Sequence, residues 1–394
     1  MKPIYLALLL TLTTPLSFAA EEKLPEPFRG ATEDSNLEVS YDDLNAFLEA
    51  EVLVVGRSTR KKVSRQATTG TRMRSRINRL TALEGNRFHF ESLQDEEVMK
   101  VLTTLKESLE VLPSQVPLSM LSEDEQLAYW LNLYNFTMLY EIGQRELNGS
   151  LQDALAYDEK SPLLHDKVLT VAGEELSLHD IHFTILKEKF EQPVVIYGLF
   201  QGNIGGPSIR DEAYTGSRVW RQLEDNAVEF INSNRGTYYD GEISVYYKHN
   251  LPFFDNDKGK LKTHILNYVD DDRYYEEIDS ARELEFEMSD WQIADLTGGA
   301  RNYGGSAMIN SAALLDAVRS EQMMYNEGAS GGSMTGVETS LDQSMVRKAR
   351  MATRFPAIQL EMLQKLKAQH EMNSGTVDVK DISEEEAKSS SNNK

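Results

Sequence analysis

The sequence predicts an α+β fold, with a mainly helical N-terminal part, a central buried helix packed on a small β-sheet, and a helical C-terminal extension. Three observations carry this. Glu123 to Arg145 holds Leu127, Trp130, Leu131, Leu133, Phe136, Met138, Leu139 and Ile142, apolar nearly all round. A helix without a polar face belongs inside a fold. Short β-branched runs lie among the helical segments with no regular strand–helix alternation, which argues against a doubly wound sheet. The chain has 394 residues, 40% of them hydrophobic, and no cysteine, so a large core must hold by packing alone.

The elements follow in chain order. Residues 1–19 read as a secretory signal peptide: Lys2, an apolar run from Ile4 to Phe18, and small residues for cleavage near Ala19 or Ala20. That run is short for a membrane span, and no later stretch is apolar enough to cross a bilayer. A periplasmic or secreted protein is expected. Residues 20–94 hold an acidic leader, a helix starting near Tyr41, and a basic island from Gly56 to Arg79 with Arg57, Arg60, Lys61 and Lys62 at its head and no acidic residue. Such an island is either a solvated face that pairs with acidic surface elsewhere or a contact for an anionic lipid, polysaccharide or partner. The whole chain is acidic, with 41 Lys and Arg against 63 Asp and Glu and a formal charge of -22. That balance argues against nucleic-acid binding, where phosphates need a basic surface.

Residues 95–275 are expected to form the core. Val98, Val101, Leu102, Leu105 and Leu109 recur at helical spacing over Glu96 to Leu112. Ser122 and Glu125 form a capping box that opens the central helix. Ser177 and Asp180 open another helix, running to about Lys189. Pro193 to Phe200 reads as a buried strand, followed by a Gly-rich loop from Gly202 to Pro207. The loop lacks the Lys-Ser/Thr ending of a P-loop and the spacing of a dinucleotide fold, so it reads as a tight turn that brings backbone near the central helix. Arg218 to Asn232 is an amphipathic helix, Glu242 to Tyr247 a strand, and Leu261 to Val269 a helix. Residues 276–326 extend the core with weaker signals, including acidic Glu283 to Asp290 and a loop from Gly298 to Gly305. Residues 327–372 read as a linker and a helix from Ser340 to Glu371, and 373–394 have the composition of a disordered tail.

The block Leu127-Ala128-Tyr129-Trp130-Leu131-Asn132-Leu133-Tyr134-Asn135 resembles the "aFWiNlYN" hallmark of the DUF547 family. Leu176 to Ile181 resembles the family's "LSLddIE" helix start, and Ala213 to Phe230 its "ayt…qLd.aa..Fi" helix. Together these cover roughly Leu121 to Val269. Family members often carry cysteines in a "Cg..sCP" loop after the strand; here that loop reads Gln201-Gly202-Asn203-Ile204-Gly205-Gly206-Pro207 and holds no thiol. The family implies no settled activity, and a thiol mechanism is closed to this chain.

Several side chains bear chemistry. Asn132 and Asn135 share one helix face; they either tie neighbouring loops to the central helix or orient a ligand at the floor of a cleft. His179 and His182, with Asp180 between them, are the candidates for a general base, and weakly for a metal with His249 or Asp255 as third ligand. Ser208 lacks a nucleophile elbow. Trp130, Asn132, Tyr134, Asn135, Gly202, Asn203, Gly206, Pro207 and Arg210 are the candidate binding residues. No metal and no cofactor are predicted. The expected function is a binding or interaction module of the bacterial envelope, its partner an unknown envelope ligand or protein. The alternatives are a hydrolase of envelope peptides or glycans working near Asn132, Asn135 and His182, and a docking protein for anionic polymer or lipid through Arg57 to Arg79.

Overall fold

Helix α1 (Asp42–Glu51) begins where the acidic leader was expected to give way, and it buries Leu44, Phe47 and Leu48. It belongs to a computed structural model that describes residues 23–296 except 61, 63–77, 79 and 158–160. The signal segment, most of the basic island, the Gly298 to Gly305 loop, the linker, the C-terminal helix and the tail lie outside the described residues. The chain divides after Thr339 into two units, and the described residues lie in the first. Strand β1 (Val52–Leu53) follows α1 directly and pairs antiparallel with β2 (Arg87–Phe88).

Helix α2 (Glu96–Gln115) starts on Asp95, whose carboxylate accepts from the Glu97 amide at 2.9 Å. Its expected end at Leu112, one residue before Pro113, is corrected: the helix runs through the proline to Gln115. Proline brings no N–H to the carbonyl four residues earlier, here that of Leu109. The buried Tyr129 hydroxyl donates to that carbonyl at 3.0 Å, so the missing bond is replaced from the neighbouring helix.

Helix α3 (Glu123–Gln144) is the expected central helix, buried almost continuously from Glu125 to Ile142. Ser122 caps it, its hydroxyl accepting from the Glu125 amide at 3.2 Å. The returning half of the capping box is not made. The Glu125 carboxylate accepts instead from the amides of Val39 and Gly216, tying the leader and a later loop to the helix start. The partners of α3 are mostly helical: α2, the segment Asp180–Leu186, and α4 (Val219–Ile231). Burying side chains such as Leu131, Phe136 and Leu139 contributes roughly 1.5–3 kcal/mol each.

The α+β class holds, with the strands of the described residues in three two-stranded pairs. Strands β3 (Leu169–Val171) and β4 (Glu174–Leu176) form a hairpin, whereas β5 (Glu242–Ser244) and β6 (Glu285–Met288) pair in parallel across forty residues of chain. The expected strand over Pro193 to Phe200 is corrected to a 3-10 helix, Pro193–Gly198, every residue of it after the proline buried. A short apolar run enclosed on all sides carries no period, so a strand and a buried turn look alike in sequence. Likewise Glu242 to Tyr247 is extended only to Ser244. The Ser244 hydroxyl then accepts from the Tyr246 amide and opens α5 (Val245–His249). Helices α6 (Lys258–Leu266) and α7 (Asp272–Ser280) follow, capped by Asp257 and Asp271.

A strap from Asp290 to Leu296 closes the described part of the molecule. Six backbone hydrogen bonds join it to three distant places: Phe88, the Gly149–Leu151 turn, and the Gly202–Gly205 loop. At Gly205 a Cβ would fall 2.6 Å from the Asp290 amide nitrogen, so only glycine lets the two backbones meet. Gly202, at φ +81°, turns against Ile142 of α3, the close approach to the central helix that the loop's composition suggested.

Candidate functional site

The two asparagines of the central helix act on backbone. The Asn132 carboxamide donates to the Tyr214 carbonyl at 2.8 Å and accepts from the Tyr214 amide at 2.9 Å. Asn135 does the same one turn on, donating to the Gly198 carbonyl and accepting from the Phe200 amide, both at 2.9 Å. Each carboxamide thus satisfies one buried N–H and one buried C=O of a segment that has no strand partner there. Arg210 is engaged in the same way, with Glu212, Asn226 and the Gln222 carbonyl. Trp130 is enclosed between Phe28 and Tyr129. Asn203 donates to the Asp290 carbonyl, and the Gly206 carbonyl accepts from Arg235. Pro207 is buried beside it. These residues build the floor and walls of the fold and leave no polar atom of Asn132 or Asn135 directed into a cleft.

The histidines assemble elsewhere. The helix opened by Ser177 runs to Lys189 but widens into a π-helix over Asp180–Leu186. Such bulges expose an extra residue's worth of surface and often mark functional sites. Asp180 completes the cap: its carboxylate accepts from the Ser177 amide and hydroxyl and from Lys167. Partial burial works against its charge, but these bonds outweigh it and hold the carboxyl below the usual range. Asp180 is therefore a helix cap and does not reach either imidazole as a relay partner.

From the π-helix a ladder of rings runs across the surface. His165 stacks on His179 at 4.5 Å between centroids, His179 meets Phe183 at 4.9 Å, and Phe183 lies on His182 at 4.0 Å. Phe183 also meets His249 edge-on at 5.1 Å. His249 stacks on Tyr157 at 4.1 Å, and Tyr157 leans on Trp291 of the strap at 5.4 Å. His182 is buried, while His165, His179, Phe183, His249, Tyr157 and Trp291 are each partly exposed.

Below the ladder the polar groups are paired inward. His182 Nε2 lies 2.7 Å from the Asn250 carboxamide oxygen, and the Asn250 NH2 donates to the Tyr246 carbonyl. That second bond orients the carboxamide, so His182 carries its proton on Nε2 and donates. The Tyr157 hydroxyl donates to Gln201, whose side chain also lies beside the Tyr134 hydroxyl. Tyr134 meets His182 edge-on.

The electrostatics follow from burial. His182 is pushed well below the ordinary imidazole range, first by burial and then by His249. His249 is pushed down to about 3, by burial and then by His179 and His165. His179 is lowered by burial and by His165. The groups acting on His249 are other imidazoles, with no carboxylate to orient it as in a hydrolytic relay. An imidazole with so low a pKa is a poor proton acceptor at neutral pH. His182 and His249 are therefore held neutral among the adjoining rings.

The remaining candidates lie apart. Among the described residues no group of three or more His, Asp or Glu is arranged to hold a metal. Asp255 pairs with Lys260 on the surface. The Ser208 hydroxyl accepts from the Asn86 amide. Arg60 leads the basic island but points inward: its guanidinium donates to the carbonyls of Ile231, Ser233 and Thr237 at the end of α4 and lies 3.6 Å from the Tyr274 ring centre. Cations suit a helix C-terminus, so this is a cap. A cleft of about 400 Å³ beside it is lined by Arg57, Arg273, Asp270, Asp271, Tyr239 and Glu229 among others, its charges balanced.

Tyr157, Gln201, Asn250 and Trp291 carry no motif, and only their placement by distant parts of the chain brings them to the histidines. Of the residues singled out in the sequence, His179, His182, His249 and Tyr134 come together. Asn132, Asn135, Arg210 and the Gly202 to Pro207 loop do not join them. The family model for DUF547, described as a protein of unknown function, matches residues 118–231, which span α3, the π-helix and α4. No curated protein and no solved structure matches the chain.

Proposed function

We propose that the chain, with its DUF547 region over 118–231, is an exported binding module of the bacterial envelope that holds a neutral, ring-bearing ligand, a glycan strand, on the ladder from His179 to Trp291. The carrying observation is that five rings, those of His179, Phe183, His249, Tyr157 and Trp291, adjoin one another in series and all belong to partly exposed residues. Flat apolar faces with polar edges suit the C–H faces of sugar rings, as binding sites combine apolar walls with a few placed polar groups. The charge balance favours a neutral ligand: a protein of net charge -22 repels polyanions. Export rests on the residues 1–19 signal pattern. The inward engagement of Asn132 and Asn135, together with an orphan imidazole in place of an acid–base pair, supports binding over hydrolysis.

The test is titration of the purified protein with a linear oligomer of N-acetylglucosamine, followed by calorimetry. Saturable binding is expected, with affinity about tenfold weaker in Trp291→Ala and in His249→Ala, or ~1.4 kcal/mol. Binding that survives both substitutions, or binding of heparin but not of the neutral oligomer, would sink the proposal.

A further inference from the structure

The strap that carries Trp291 is anchored on a chemically labile dipeptide. Asn148-Gly149 is the single Asn-Gly pair in the sequence. Asn148 is exposed in the turn after α3, and Gly149 adopts φ +73°. The Asn148 NH2 donates to the Glu146 carbonyl at 3.1 Å. Among the described residues no acceptor takes the Gly149 N–H. The residues directly after that peptide hold the strap. The Gly149 carbonyl accepts from the Ile293 amide at 2.7 Å, and the Leu151 amide donates to the Trp291 carbonyl at 2.7 Å.

We infer that Asn148 is a site of spontaneous deamidation that loosens the strap. The Gly149 nitrogen gives up its proton to solvent and attacks the Asn148 side-chain carbonyl carbon. The new N–C bond closes a succinimide, the bond to the side-chain nitrogen breaks, and ammonia leaves. Water then opens the ring at either carbonyl, restoring one carboxylic acid; nothing is oxidised or reduced. Glycine favours the attack because it has no Cβ to hinder approach of its nitrogen. Opening at the side-chain carbonyl gives aspartate, and opening at the main-chain carbonyl gives isoaspartate, which adds a methylene to the backbone. That methylene falls in the backbone of residue 148, one residue before the Gly149 carbonyl that holds Ile293. The strap hydrogen bonds cannot all keep their lengths once the chain between α3 and Leu151 grows by one atom. The aspartate product adds charge without lengthening the chain, so the two products separate these effects.

The modification stands on the turn's own geometry, whether or not the ring ladder takes a ligand. The experiment incubates the full chain at mildly alkaline pH and maps peptides by mass and isoaspartate content. Amide exchange at Leu151 and Ile293 is then compared between fresh protein, aged protein and Asn148→Asp. The expected result is conversion at Asn148 faster than at any other asparagine, abolished in Asn148→Gln, with faster exchange at both amides in the aged protein but not in Asn148→Asp. Conversion at Asn148 no faster than elsewhere would overturn the site. Conversion that leaves both amides as protected as before would overturn its link to the strap. Asn148→Gln keeps the glycine at positive φ, so its folding is preserved where Gly149→Ala would be strained.

Discussion

Two polar groupings flank the central helix, and they are built to opposite ends. On one face buried Asn132 and part-buried Asn135 are turned to the fold, each closing a donor and an acceptor of loop backbone. On the other, beyond Tyr134, the imidazoles of His182 and His249 sit among rings with no ionic partner, and the ladder reaches solvent. The recognisable sequence signature belongs to the first. A short motif is retained in a readable pattern when one helix supplies all of it, and stapling loops to a helix needs only that helix. A surface assembled from the π-helix, α5, the Tyr157 turn and the strap leaves no such compact pattern.

The comparison can be broken by substitution. Asn132→Leu keeps volume but strands both the N–H and the C=O of Tyr214, so a loss of about 2–4 kcal/mol in urea unfolding is expected. A loss below half a kcal/mol would mean that the carboxamide is not a staple. Tyr129→Phe tests a neighbouring device of the same kind. Removing its hydroxyl leaves the Leu109 carbonyl, already without its helical partner at Pro113, unpaired, at a cost of about 1–3 kcal/mol. Unchanged stability there would show that water replaces the hydroxyl.

The ring face answers to pH. His249 falls from the ordinary 6.5 to about 3 on folding, so between those values the unfolded chain binds the proton that the folded chain refuses. Its contribution is fully present above about pH 6.5 and is lost as pH falls. Going from pH 7 to pH 5 should cost about 1–2 kcal/mol through this residue, and His249→Phe should lose correspondingly less stability over the same interval. Buried Glu84 and Asp290, whose carboxyls burial pushes up, act in the opposite sense in both proteins. Equal pH slopes for the two proteins would show that His249 is not held neutral.

How far the fold was legible follows the range of the interactions. Helices α1, α3 and α4 were readable because caps and apolar spacing are local, and Ser122 behaves as its position predicts. Glu125 does not, because Val39 and Gly216 lie far away in sequence and compete for its carboxylate. Pro193 to Gly198 reads as a strand until the crossing at Gly198 is seen, where Leu131 and Leu223 close in from two helices. At the site, His179 and His182 were visible as a pair, but His249 joins them through a 3-dimensional neighbourhood that no spacing encodes. Arg60 reads in sequence as one member of a basic run, and only the carbonyls at the end of α4 explain why it turns inward.

The strap also sets an order of events during synthesis. The carbonyl of Gly149, the carbonyl of Gly202 and the amides of Phe88, Ile204 and Gly205 all wait for residues 290–294 before their partners exist. A nascent chain that has already delivered α3, the π-helix and α4 still has these groups open. The matched region 118–231 therefore cannot close on itself while it leaves the ribosome. Its folding is expected to finish only after residues 290–294 have emerged, and slowly, as befits contacts so widely separated in sequence, and until then the incomplete chain exposes unpaired edges.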